Sequence, residues 1–175
     1  MVGHGSSSAN NPFFAAYDCG ACSGRPGLAN ARVFALMANR TDVRQIIAAQ
    51  GIRIPDTTRF IGAIHDTTRD EILFLDEEKL PESHVAVLAE FKKSFRAALM
   101  LTALERSRRF ADVPMQKSAK SAQKECIARS EMLFEPRPEY THATNSVGIV
   151  APRSLTEGLF LDRRAFFNSY EPQSD

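Results

Sequence analysis

A chain of 175 residues, 43% hydrophobic and 25% charged, is about the size of one domain and has the balance of a packed protein with its own core. Its 22 basic and 21 acidic side chains leave a net charge of +1, which excludes a bulk field for steering onto nucleic acid or an anionic membrane. No apolar run approaches the roughly eighteen residues of a membrane span, and the first residues lack the basic start and apolar core of a secretory signal, so the sequence reads as cytoplasmic.

The chain opens on GHGSSSANNPFFAAYDCGAC, residues 3–22, a loop of small and polar residues that carries a histidine and two of the three cysteines. A glycine-rich turn of this kind usually follows a strand, and Met1-Val2 leaves no room for one, so Val2 is expected to be the last residue of a strand lost upstream. After the turn SGRPG, residues 23–27, a helix is expected from near Leu28, with Ala29, Val33, Leu36 and Met37 on its core-facing side and Asn30 and Asn39 as boundary residues. A second, short helix takes Thr41 as its N-cap, turns Val43, Ile46 and Ile47 inward and stops at Gly51, with Pro55 closing the connection. TRFIGAIHDT (58–67) and DEILFLD (70–76) read as strands, and the polar turn from Asp66 to Asp70 suits a hairpin or a loop lining a site.

From Ser83, a good N-cap, to about Phe110 there is neither glycine nor proline, and Leu88, Phe91, Phe95, Leu99 and Thr102 recur at three to four residues, which predicts one long helix. Its other face carries Lys92, Lys93, Arg96, Arg106, Arg108 and Arg109; aromatics do not interleave with them, so a solvated face is expected rather than a nucleic-acid surface. A polar segment from Lys117 to Lys124 leads into a helix through Ile127 and Met132, broken at Pro136 and Pro138, and SVGIVAP (146–152) reads as a buried strand. The closing stretch RRAFFNSYEPQSD is apolar and aromatic and expects a later pairing partner. Helices alternating with apolar strands predict an α/β fold, a layered sheet with flanking helices whose strand order is not legible. Residues 1–175 are expected to form a single domain, or a fragment of a larger α/β domain cut at both ends.

Three side chains of the opening loop have metal-ligand chemistry. His4 offers an imidazole, the commonest protein metal ligand, and Cys19 and Cys22 offer thiolates, a set suited to a borderline-soft ion such as zinc. Three donors do not close a tetrahedral site; His4 reads equally as a structural histidine in a turn, and Cys22 reads as a spare thiol or a small buried side chain ahead of a fourth ligand. The loop also has the makings of an anion nest, but it lacks the lysine of a P-loop and the third glycine of a dinucleotide fingerprint. None of Ser6, Ser7 and Ser8 sits in a G-x-S-x-G elbow. His65, Asp66, Asp70 and Glu71 form a second polar group at a strand end, and Arg137, Glu139 and His142 form a third in EPRPEYTHATN.

The string GHGSSSANNPFFAAYDCGACSGRPGLANARV resembles the signature of the DabA family, the large soluble subunit of energy-coupled inorganic carbon transporters. RFIGAIHDTTRDEI, RSEMLFEPRPEY and IVAPRSLTEGLFLDRRAFFNSYEP resemble further family segments in the same order, so the likeness covers nearly the whole chain. It implies a site similar to that of a β-type carbonic anhydrase, with zinc held by two cysteines, a histidine and an aspartate. The family histidine falls on His4 and the later cysteine on Cys19. The other cysteine and the aspartate belong, with an arginine, to a C-x-D-x-R motif upstream that these residues do not contain. The implied chemistry is hydration of carbon dioxide to bicarbonate, with the aspartate leaving zinc to pair with the arginine and so admitting water. The implied setting is the cytoplasmic face of the bacterial inner membrane, beside a membrane subunit resembling the proton-translocating subunits of respiratory complex I. The chain by itself, with half of the ligands, is expected to be inactive. It departs from many family members in having Tyr140-Thr141-His142-Ala143-Thr144 after the Arg-Pro-Glu segment and no tryptophan. The competing expectation is a non-catalytic domain in which His4, Cys19 and Cys22 hold a structural zinc or support a protein interaction.

Overall fold

A computed structural model of the chain describes residues 1–7, 9, 25–110, 115, 118–134, 146–161 and 165–170. It divides into two units, Met1–Pro138 and Glu139–Asp175. In the first unit β1 (Val2–Gly5), α1 (Leu28–Ala38), α2 (Thr41–Ala49), β2 (Ala63–Asp66), β3 (Glu71–Phe74), α3 (Glu82–Ser107) and α4 (Ala119–Glu131) follow in order. The sheet runs β1-β2-β3, with β2 parallel to β1 and antiparallel to β3. The mixed α/β class expected from the sequence is what forms, since a parallel pair needs a helical crossover and α1 and α2 supply it.

The opening glycines lie inside a strand. Val2 begins β1 rather than ending a strand, and Gly3, His4 and Gly5 pair in register with Ile64, His65 and Asp66. Gly3 is there for close approach: a Cβ on it would lie 2.3 Å from the carbonyl oxygen of Gly27, in the turn that enters α1.

The buried face of α1 also differs from the expectation. Ala31, Ala35 and Ala38 are its buried residues, whereas Val33, Leu36 and Met37 are about half exposed. Gly62, just before β2, explains the choice, because a Cβ on it would sit 3.0 Å from Arg32 Cα and 3.2 Å from Ala31 backbone atoms. Helix and strand backbones approach too closely for a branched side chain, so the alanine stripe wins over the more hydrophobic one. Asn39 closes the helix as expected, and its side-chain amide donates to the Phe60 carbonyl at 2.7 Å. In α2, Arg40 takes the N-cap place and Ile46 faces out, while Gly51 ends the helix at φ +91°.

Asp76, after β3, binds α1 back to the sheet: Arg32 donates to it twice at 2.7 Å, and Lys79 Nζ lies 2.7 Å away. Hydrogen bonds from Arg32 and then Lys79 hold the Asp76 carboxyl well below the usual carboxylate range. A carboxyl lowered in the folded state contributes stability that is full above the unfolded value near 4 and is lost as pH falls toward the folded value. Asp76→Asn is therefore expected to lower the thermal midpoint at pH 7, with the gap from the parent closing below about pH 4. A gap constant across that range would contradict the assignment.

α3 packs along α4 and against β3, where Phe74 meets Phe91 edge-on at 6.1 Å and Phe91 meets Phe95 at 5.0 Å. Its deepest residues are Leu99, Ala103, Arg106 and Ser107. Arg106 is thus removed from the solvated basic face expected of it: it continues the three-to-four spacing of Leu99 and Ala103 and is only 2% exposed. Ser118 caps α4 with a reciprocal capping box to Ser121.

In the second unit β4 (Val147–Ala151) and β5 (Ala165–Ser169) form a parallel pair, and Arg153 stacks over the Phe167 ring at 4.8 Å. The aromatic stretch at the end of the sequence therefore pairs with an earlier segment. Val147 and Val150 are 48% and 67% exposed, so β4 is not the buried strand its composition suggests; among the described residues of this unit no α-helix covers the pair.

Candidate metal-binding site

His4 lies one residue from the carboxyl end of β1, half-buried, with its carbonyl accepting the Gly27 N–H at 2.7 Å. Paired residues of parallel strands project to one face, so His4 and its register partner His65 share a side of the sheet. Cys19 and Cys22 lie outside the described residues, as do Arg137, Glu139 and His142. Among the described residues no three His, Cys, Asp or Glu side chains converge as a metal site.

What the structure does bring together is the chain leaving His4 and the turn leaving β2. The Thr67 N–H and hydroxyl both donate to the Gly5 carbonyl, at 3.0 and 3.2 Å. Ser6 and Thr68 share a hydroxyl–hydroxyl bond of 2.8 Å in the interior, at 5% and 0% exposure. Asp66 accepts the Ser7 N–H at 3.3 Å and the Ser7 hydroxyl, and also the N–H groups of Thr68 and Arg69 at 3.0 and 3.3 Å. Ala9 donates to the Ser130 carbonyl at the end of α4, 2.7 Å away.

The turn in its place is gripped by two helices. Arg106 of α3 donates to the Thr67 carbonyl and, at 3.1 Å, to the Thr68 carbonyl. Its guanidinium lies 2.8 Å from Asp70 Oδ2, both side chains being 2% exposed. That last contact is ionic rather than a directed hydrogen bond. Gln123 of α4 donates to the Asp70 carbonyl at 2.7 Å. Asp70 stands at φ 51°, a left-handed conformation that aspartate tolerates better than most residues. His65 Nε2 is 3.5 Å from Asp70 Oδ1. Burial pushes the thiol of Cys126, on α4, upward, although the Arg106 guanidinium beside it pulls the other way; this is an inert packed thiol rather than a nucleophile.

The second polar group noted in the sequence is therefore real as a cluster, with Asp66 and Asp70 as its working parts. Arg106, Ser6 and Thr68 were not expected in it. For Arg106 the helical spacing carried the signal; for Ser6 and Thr68 nothing local distinguishes them from loop residues.

Together these features describe a mixed α/β chain in which His4, the one of the three opening-loop donors that lies within the described residues, is one residue from the end of a parallel strand that runs on to a buried polar turn. All 175 residues match the family described as probable inorganic carbon transporter subunit DabA, and the chain belongs to that family. It is similar to probable DabA subunits of Azotobacter vinelandii (55% identical over 179 residues), Nitrosospira multiformis (51% over 175) and Sorangium cellulosum (50% over 175). Each comparison covers 100% of this chain but 21%, 19% and 17% of the relative, so the chain spans about a fifth of the length of these curated relatives. No solved structure matches it. Among the described residues no helix is long and apolar enough to cross a membrane.

Proposed function

We propose that this chain is part of a zinc-dependent inorganic carbon transporter subunit that hydrates carbon dioxide to bicarbonate at the cytoplasmic face of the membrane, with His4 and Cys19 as two of the zinc ligands. The observation that carries it is the family match over every residue together with the place of His4, at the carboxyl end of a parallel strand, where α/β sheets put their ligands. Imidazole nitrogen and thiolate sulfur are the donor types zinc prefers, so the donor chemistry fits; two donors of four make the chain half of a site.

Zinc, when bound, acidifies water so that hydroxide is available to attack carbon dioxide near neutral pH. The chain's part is to hold His4. Close packing of Gly3 against Gly27 fixes the strand, and the Gly5-to-Ala9 exit is bonded at Gly5, Ser6, Ser7 and Ala9. The remaining ligands come, on this proposal, from the C-x-D-x-R segment of the complete subunit, and a β-carbonic-anhydrase-like sheet is completed by that same upstream portion. A proton-translocating membrane subunit supplies the energy. Support for burial within a larger body comes from Val33, Leu36 and Met37, which leave an apolar stripe of α1 exposed.

The test is uptake of labelled inorganic carbon by cells producing the complete subunit with its membrane partner. His4→Ala or Cys19→Ala is expected to bring uptake to background with protein levels unchanged. Undiminished uptake by both variants would overturn the assignment.

A further inference from the structure

The exit from β1 is held residue by residue. Gly5 is held by Thr67, Ser6 by Thr68 and Ser7 by Asp66, three consecutive residues of one strand end bonded to three consecutive residues of the next. Two of these partnerships act through side chains: the Thr68 hydroxyl, fully buried, and the Asp66 carboxylate, which takes the Ser7 N–H in addition to the Thr68 and Arg69 N–H groups of its own hairpin turn. Behind them, Arg106 and Asp70 fix the turn itself, so the hydroxyl and carboxylate are presented from a rigid support.

We propose that Thr68 and Asp66 are positioning residues for His4, holding the chain that leaves β1 so that the imidazole keeps the orientation a zinc ion requires. This rests on the zinc assignment above. A metal-binding imidazole has little tolerance for error in direction, and groups that orient a ligand without touching the metal typically contribute about 10–100-fold to its affinity. Here the contacts of Thr68 and Asp66 reach His4 through the backbone of its next three residues. The buried Ser6–Thr68 bond is the more stringent of the two, because both residues lie in the interior, where water does not replace a lost hydrogen bond.

The experiment measures zinc affinity of the complete subunit by chelator competition, beside thermal unfolding of the zinc-free protein. Thr68→Val, which keeps the shape and removes the hydroxyl, is expected to weaken zinc binding about 10–100-fold, and Thr68→Ser to restore it. Asp66→Ala, at a partly exposed position, is expected to act in the same direction and decides the matter where Thr68→Val fails to fold. A lower unfolding midpoint with unchanged zinc affinity in both variants overturns the proposal and leaves the zinc site standing, provided His4→Ala still abolishes binding. A parent subunit that holds no zinc overturns both.

Discussion

Replacing Arg106 with methionine is expected to cost the fold about 3–5 kcal/mol, the largest effect of any substitution outside the candidate ligands. Methionine fills much of the same space, so the loss is electrostatic. Asp70 keeps its carboxylate at 2% exposure without its guanidinium partner, and the carbonyls of Thr67 and Thr68 lose their donor. Arg106→Lys is expected to recover little, because one ammonium cannot reach two carbonyls and a carboxylate from the same stem as a guanidinium does. The double variant Arg106→Met with Asp70→Asn removes the uncompensated charge and is expected to be less destabilised than the sum of the singles. Urea denaturation at pH 7 measures this as a fall in midpoint at constant slope. A loss under about 1 kcal/mol for Arg106→Met would mean that solvent reaches the pair and that the turn is held by its own hydrogen bonds.

That pair also shows where sequence reasoning loses its grip. Element existence was legible from punctuation: Asn39, Gly51 and the polar run from Asp66 to Asp70 end or turn the chain where expected, since caps and turns depend on local residue chemistry. Which face is buried was less legible. Hydrophobicity put Val33, Leu36 and Met37 inside α1, but the distance between α1 and the strand entry at Gly62 admits only alanine. Charge put Arg106 in water, although its spacing from Leu99 and Ala103 put it in the core. Backbone separation and ion pairing across 36 positions are tertiary facts, absent from any local window. The same holds for Gly3-His4-Gly5, read as a turn from its glycines and found as a strand paired with Ile64–Asp66, where Gly3 makes room for Gly27.

For the candidate site the sequence offers donor chemistry and no geometry. His4 and Cys19 stand out in the sequence by donor type, and the chain belongs to the DabA family; the structure puts His4 near the end of β1, while Cys19 lies outside the described residues. The polar turn that backs His4 was visible as residues, His65 to Glu71, without any sign that its threonine and aspartate reach across to Ser6 and Ser7.

The second large effect is on metal content, and its measurement bears most directly on the half-site. The complete subunit is expected to carry one zinc ion per chain. His4→Ala and Cys19→Ala are each expected to remove it, because a site with three ligands left in an otherwise four-ligand sphere loses most of its affinity, and Cys22→Ala is expected to leave it in place. The 175-residue chain alone, with two of the donors, is expected to bind zinc weakly or not at all. Elemental analysis after dialysis against a chelator reads all of these at once. Tight, stoichiometric zinc in the isolated chain, abolished by Cys22→Ala, would contradict the half-site and indicate a structural zinc closed by His4, Cys19 and Cys22.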